Sequence, residues 1–451
     1  MTTFDQILPI TTRELNAHTE VIAPLEWLLI NRDLNGKVRF IVPESIESND
    51  ASRESIETLY ATLANRIAPH AYPVTSGILY ESAREPACHD AVAFRLDGFD
   101  KVWVVDRLAT ESRWESIADV SEGAPRIVFF SIKGGVGRST ALAATAWTLA
   151  QAGKRVLVLD LDLESPGLSS SLLPPERQPA FGITDWLVED LVNNADAVFE
   201  GMLATSHLAH DGEIYVIPAH GANPGEYVSK LGRIWMPKTG PDGTRENWSG
   251  RLQRLLIDLE DRIQPDVVLI DSRVGIDEVA SACVTDLNAK LVLLFALEGV
   301  QTWNGYRILF EHWLRTGAAE QIRERLQYVA ALVPEMNHIN YLADLREHAY
   351  QVFMDTLYDE IAPPAPDSIG RKKRDDQEIW QVGQIIDGWN FDEADESAPH
   401  YPWPVHWHRS FAGLRSLEGR LAVIDDKEIT SLFGSLIAGI AHALNLEEIH
   451  A

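Results

Sequence analysis

The stretch that most constrains this chain is "IVFFSIKGGVGRST", Ile127 to Thr140. An apolar run ends at Lys133, then Gly134, Gly135 and Gly137 follow, and Arg138, Ser139 and Thr140 lead into the alanine-rich "STALAATAWTLAQAG" that closes at Gly153. Strand, glycine-rich loop, hydroxyl residues and helix, in that order, form the setting in which a phosphate-binding loop acquires its meaning. Glycines let backbone N–H groups turn inward toward phosphate oxygens, and the N-terminus of the next helix adds the positive end of its dipole. Read this way, Gly134, Gly135, Val136, Gly137 and Arg138 surround phosphates, Ser139 offers a hydroxyl to Mg²⁺, and Thr140 reaches the α-phosphate. Two residues depart from the usual pattern. A lysine stands ahead of the glycines, and arginine occupies position 138, where such loops carry lysine.

The surrounding texture fixes a fold class. "RIVFFSI", "RVLVLDLD", "IYVIPA", "DVVLIDS", "KLVLLFAL" and "YVAALVP" are apolar runs of strand length, and helical patterns such as "GRLQRLLIDLEDRI" and a segment around Arg307 to Arg315 separate them. Continuous apolar strands alternating with helices predict an α/β protein, its mostly parallel sheet covered by helices on both faces. Residues 1–122 read as a smaller mixed α/β unit. It has a strand in "KVRFIVP", a helix in "SIETLYATLANRI", and a hairpin from "AVAFRL" and "KVWVVDRL" around the turn "DGFD". "SEGAP" marks the boundary, so 123–451 is expected to be the nucleotide-binding unit, with an irregular insertion at about 338–399.

Composition narrows the classes. The formal net charge is −28, and a broad nucleic-acid-coating face needs clustered Lys and Arg, so a protein partner is favoured over nucleic acid. The one basic run, "RKKR" within "APPAPDSIGRKKRDD", reads as a solvated loop flanked by acids. Cys88 and Cys283 are the only cysteines and are far apart, which suits a reducing compartment and rules out a multi-cysteine metal site in one chain. No apolar stretch reaches membrane-span length, and the first residues lack the pattern of a secretory signal, so a cytoplasmic location is expected.

Lys133-Gly-Gly-Val-Gly-Arg138-Ser139-Thr140 resembles the deviant Walker A motif, K-G-G-x-G-K-[ST]-T, of the MinD/ParA family of P-loop ATPases. "VLVLDLDLESPGL" is similar to that family's second motif, with Asp160 and Asp162, and "PDVVLIDSRVGIDEV" to its Walker B and second switch, with Asp271 and Gly275. The resemblance runs from about Arg126 to Pro334 and resumes from Trp403. It implies binding and hydrolysis of ATP with Mg²⁺, slow or partner-stimulated, and an ATP-sandwich homodimer acting on a protein partner. In such a dimer Lys133 reaches phosphates held by the other subunit, and a cation there neutralises charge developing in phosphoryl transfer. Asp162 positions the attacking water. Ser139, Asp160 and Asp271 serve Mg²⁺, which keeps most of its water shell. Asp160 is read equally as a turn cap, and Arg273 as a phosphate sensor or a surface arginine.

The resemblance also makes Asn337, in "VPEMN", a candidate for base recognition. It puts "HYPWPVHWHRSF" near the base, where His400, His406 and His408 are read as base-edge packing or burial ahead of metal binding. In "KEITSLFGSLIAGIAHALNL", Ile429, Leu432, Phe433, Leu436, Ile440 and Leu444 share one helical face, and the helix is expected to pack on the core. Two further functions stay open, a DNA-partitioning or positioning ATPase and a nucleotide-binding pseudo-ATPase scaffold. Position 138 bears on the second, because arginine brings a planar fork in place of a compact ammonium, and the net charge of −28 bears on the first.

Overall fold

A computed structural model describes residues 2–88, 91, 93–108, 110, 113–209, 211–240, 242–359, 388–411 and 417–446. The basic run "RKKR" lies outside these residues. The N-terminal part is built on a five-stranded sheet of β1 (Leu28–Arg32), β2 (Val38–Pro43), β3 (Ile78–Glu81), β4 (Ala93–Arg95) and β5 (Val102–Asp106), in the order β3-β2-β1-β5-β4. β4 and β5 pair antiparallel, as the hairpin pattern predicts. The central strand, β1, went unread in the sequence, as did β3. On one face, helices Ile7–Ala17 and Asp50–Ile67 bury Ile7, Leu15, Ile56, Leu59, Tyr60 and Leu63 against Ile30, Phe40 and Val104.

The second sheet has eight strands. They are β6 (Arg126–Ser131), β7 (Arg155–Asp160), β8 (Ala204–Thr205), β9 (Glu213–Ile217), β12 (Val267–Val274), β13 (Leu291–Ala296), β14 (Leu326–Val333) and β15 (Trp403–His406), with β10 (Lys238–Thr239) and β11 (Arg245–Glu246) forming a separate small ladder. The order is β15-β14-β13-β6-β12-β7-β9-β8, and every neighbouring pair is parallel except β8 with β9. Alternate residues of the apolar strands enter two cores, as a sheet covered on both faces requires. Ile127 and Phe129 join helices Arg138–Gln151 and Asp426–Ala443, whereas Val128 and Phe130 join helices Trp248–Ile263 and Val300–Thr316. The C-terminal helix buries Ile429, Leu432, Phe433, Leu436 and Ile440, as its periodicity predicts.

Two boundaries differ from the sequence reading. Trp114 packs on Phe130 and Trp313, and Ala118 N–H donates to the Thr285 carbonyl at 2.8 Å, so the chain joins the second core before residue 123. His338–Thr356, read as part of an irregular insertion, is a continuous helix that buries Leu345, Ala349, Val352 and Phe353. Its tyrosines, histidines and acids masked the apolar period. Among the described residues no helix is long and apolar enough to cross a membrane.

Candidate functional site

The site lies at the carboxyl ends of the central strands, where the chain passes from β12 across β6 to β13 and the loops on either side diverge; open α/β sheets bind ligands at such points. β6 delivers the loop 132–137, and helix Arg138–Gln151 begins directly after it. Gly135 and Gly137 have φ of +73° and +76°, in the left-handed region where a side chain is strained. Gly137 also leaves no room to spare, since an added Cβ would lie 3.1 Å from the Leu332 side chain. Val136 is buried in the helix-side core and anchors the loop from beneath.

Two strand ends contribute three carboxylates. Asp271 on β12 pairs in register with Asp160 on β7, which sets the two side by side. Asp160 is fully buried. Its Oδ2 accepts from the Ser169 N–H at 3.2 Å, and its Oδ1 has no hydrogen-bond partner among the described residues. Burial, reinforced by the nearby Asp271 charge, pushes the Asp160 carboxyl up to about 7. Asp162, two residues further on, is also pushed above the usual carboxylate range by burial, while the Arg138 charge opposes that shift. An orphaned buried carboxylate oxygen, two further carboxylates and the Ser139 hydroxyl form a hard-oxygen set of the kind Mg²⁺ prefers. Among the described residues no group of three or more His, Cys, Asp or Glu side chains is arranged to hold an ion directly.

Arg138 and Lys133 behave in opposite ways. The Arg138 side chain turns into the protein and is 6% exposed. Nε donates to Asp271 Oδ1 at 2.6 Å, Nη1 donates to the Ser131 hydroxyl at 3.1 Å, and Nη2 lies 3.5 Å from Asp162 Oδ2. The Ser139 hydroxyl donates to the other Asp271 oxygen at 2.6 Å. Lys133 is exposed, with no side-chain hydrogen bond or ion pair among the described residues. A cavity of about 520 Å³ is lined by Gly134 to Thr140 together with Asp162, Ser165, Arg273 and Val274. Arg273 reaches Glu164 at 2.5 Å and Asp277 at 2.8 Å, tying the segment after β7 to the segment after β12.

A second cavity of about 200 Å³ adjoins the loop. Gly135, Gly137 and Thr140 form one wall, and Leu332, His406, Trp407, Phe411 and Phe433 are among the residues of the other. The "HYPWPVHWHRSF" segment therefore brings an aromatic wall next to the loop. His406 and His408 both line this cavity, and His400 does not join them. His400 is buried against Tyr358 and the Glu393 carbonyl, β15 ends at His406, and His408 lies beyond the strand, bonded to Ser410. Asn337 lines neither cavity. It is exposed in a left-handed conformation at the start of helix His338–Thr356 and accepts from Asn340 at 2.8 Å. Ser131, Leu332 and Trp407 were missed in the sequence. The signal for Ser131 was a small hydroxyl ending an otherwise apolar strand.

Loop, strand-end carboxylates and sheet topology together define a P-loop nucleotide-binding protein of the α/β class. The family model described as CobQ/CobB/MinD/ParA nucleotide binding domain matches residues 127–440, more than half of the chain, and the chain belongs to that family. It is 44% identical over 68 residues to a protein called arsenical pump-driving ATPase 1 from Aquifex aeolicus, a match spanning 15% of this chain and only 17% of that relative. Among solved structures it is similar to the pNOB8 ParA bound to nonspecific DNA, at 17% identity and a TM-score of 0.41, covering 72% of this chain and 100% of that one. It is also similar to cobyrinic acid a,c-diamide synthase from Mycobacterium smegmatis with a bound ATP analogue and magnesium, at 19% identity and a TM-score of 0.36, covering 50% and 82%.

Proposed function

We propose that this chain is a cytoplasmic ATP-binding and ATP-hydrolysing switch. It takes ATP with Mg²⁺ at residues 133–140, pairs with a second copy across the nucleotide, and in that state recruits or regulates a protein partner. The observation that carries this reading is the opposite disposition of two cations. Arg138 is turned inward onto Asp271, while Lys133 stands exposed with no side-chain partner among the described residues. An exposed cation with no partner in its own chain is available to phosphates bound by another copy. A cation supplied in trans to the transferring phosphoryl group contributes roughly 10³–10⁵ in rate.

In this reading the backbone of Gly134 to Thr140 cradles the phosphates, and Asp162 orients the attacking water. Ser139, Asp160 and Asp271 hold Mg²⁺, whose contribution when bound is to neutralise charge on the phosphate oxygens. The aromatic wall at Trp407 and Phe411 receives the base. Hydrolysis removes the phosphate that Lys133 engages, so the pair separates and the switch resets.

Light scattering and phosphate release on the full chain test this together. With ATP and Mg²⁺ the wild type is expected to dimerise and release phosphate, Lys133→Ala to remain monomeric with turnover down by about 10³, and Asp162→Ala to dimerise without turnover. A wild type that binds ATP yet stays monomeric sinks the sandwich reading. The inward pairing of Arg138 favours one second reading, a pseudo-ATPase scaffold, which predicts nucleotide binding with no phosphate release under any condition. A DNA-positioning role predicts ATP-dependent retention on DNA, which the net charge of −28 opposes.

A further inference from the structure

Asp271, assigned with Ser139 to the Mg²⁺ end of the site, accepts from Arg138 on one oxygen and from the Ser139 hydroxyl on the other. A guanidinium is a rigid planar fork whose donors leave in fixed directions. Here each of its nitrogens already faces a protein group, namely Asp271 from Nε, Ser131 from Nη1 and Asp162 from Nη2. The cluster holds three carboxylates, at positions 160, 162 and 271, and Arg138 is the cation paired with two of them, Asp162 and Asp271. A lysine at 138 would carry one compact ammonium, unable to span Asp271, Ser131 and Asp162 together.

We propose that Arg138 is a built-in counter-cation that competes with Mg²⁺ for Asp271. The nucleotide-free protein then does not take up the metal by itself. The metal enters only with nucleotide, whose phosphates draw the guanidinium away from Asp271. This rests on the reading of Asp271 and Ser139 as the metal end of a nucleotide site. The loop's arginine thus acts as a gate on metal entry as well as a phosphate contact.

The test uses the full chain without nucleotide, followed by thermal unfolding during a Mg²⁺ titration. Arg138→Gln removes the cation and keeps a polar side chain, which leaves the carboxylates open to a divalent ion. Its unfolding temperature is expected to rise on the order of 3 °C at saturating Mg²⁺, with no Mg²⁺-dependent rise in the wild type. Arg138→Lys, which preserves charge and guards against a misfolded glutamine variant, is expected to show an intermediate rise. A wild type that gains as much from Mg²⁺ as either variant overturns the proposal, and so does a folded Arg138→Gln protein that gains nothing.

A second arm separates this from the nucleotide reading, using a fluorescent ATP analogue with Mg²⁺ or with EDTA. Binding that is about tenfold tighter with Mg²⁺ in the wild type supports coupled entry. Absence of analogue binding in every variant overturns the nucleotide reading even where the metal titration behaves as expected.

Discussion

Arg138 Nε and Asp271 Oδ1 meet at 2.6 Å, with the two residues 6% and 1% exposed. The pair joins the first residue of the loop helix to the carboxyl end of β12, two segments far apart in sequence and adjacent through the parallel β6–β12 ladder. Because Ser139 bonds the second oxygen of the same carboxylate, anything that moves Asp271 moves the start of the helix. The phosphate loop and the strand end are thus one mechanical unit.

Replacing Asp271 by Asn removes the anion and leaves a buried guanidinium with a weaker acceptor. Removing one partner of a buried pair costs about 3–5 kcal/mol, and retention of an amide oxygen puts this variant at the low end, about 3 kcal/mol. Urea unfolding of the nucleotide-free protein measures it. In the double variant with Arg138→Gln the losses should fall well short of additive, because each single change already breaks the same contact. Additive losses would mean that the pair contributes nothing.

Arg273 predicts a different signature. Its ion pairs with Glu164 and Asp277 are partly exposed, so Arg273→Ala should change global stability by less than about 1 kcal/mol. Its effect should be local, because it joins the segments leaving β7 and β12. Hydrogen exchange is expected to quicken in 161–168 and 274–280 and to stay unchanged in helix Trp248–Ile263. Uniform exchange rates across these segments would show that the clamp is ornamental.

The loop was legible because glycine spacing, hydroxyls and flanking periodicity all answer to one requirement, backbone N–H groups converging on an anion. That Asp160 and Asp271 stand beside the loop was legible because each closes an apolar run of strand length. The direction of Arg138 was not, because the same residue can point into the loop or beneath it, and that choice depends on Ser131 and Asp162 meeting it from two other strand ends. Asn337 was placed by likeness of position, but the chain turns after Val333 and carries it outward, while Leu332 and Trp407 line the cavity instead. β1 escaped notice because its five residues, Leu28–Arg32, end in Asn31 and Arg32. Their partners, Arg107 for Asn31 and Asp106 for Arg32, lie more than seventy residues away.

His400 carries a pH prediction. Burial holds its imidazole below the ordinary 6.5, against the opposing pull of Asp395 and the Glu393 carbonyl and charge, with Arg346 adding to the depression. A depressed basic group binds fewer protons folded than unfolded, so stability is intact above about 6.5 and falls as pH drops below it. Between pH 7.5 and 5 the wild-type urea midpoint should fall more steeply than that of His400→Gln, which has no proton to take up at this position. Parallel curves would show that His400 titrates alike in both states.

Gly305 controls the approach to the loop from behind. It sits in helix Val300–Thr316, where a Cβ would come within 2.3 Å of Ile132 Cγ2 and 3.3 Å of Ile132 Cβ. Ile132 directly precedes Lys133, and its neighbour Ser131 receives Arg138, so no slack separates this contact from the site. Gly305→Ala must push Ile132 off its position or lift the helix, at about 1–3 kcal/mol for an overpacked site, set against a gain of at most about 1 kcal/mol from alanine's better helix propensity. If the loop yields, Lys133 shifts, and ATP-dependent dimerisation should weaken more than ATP binding. If the helix yields, stability alone should fall. Light scattering with ATP beside thermal unfolding separates these two responses, and an Ile132→Ala change in the same protein, which makes room for the new methyl, should restore the dimer in the first case. Failure of that rescue, with the variant still folded, would disconnect Gly305 from the loop.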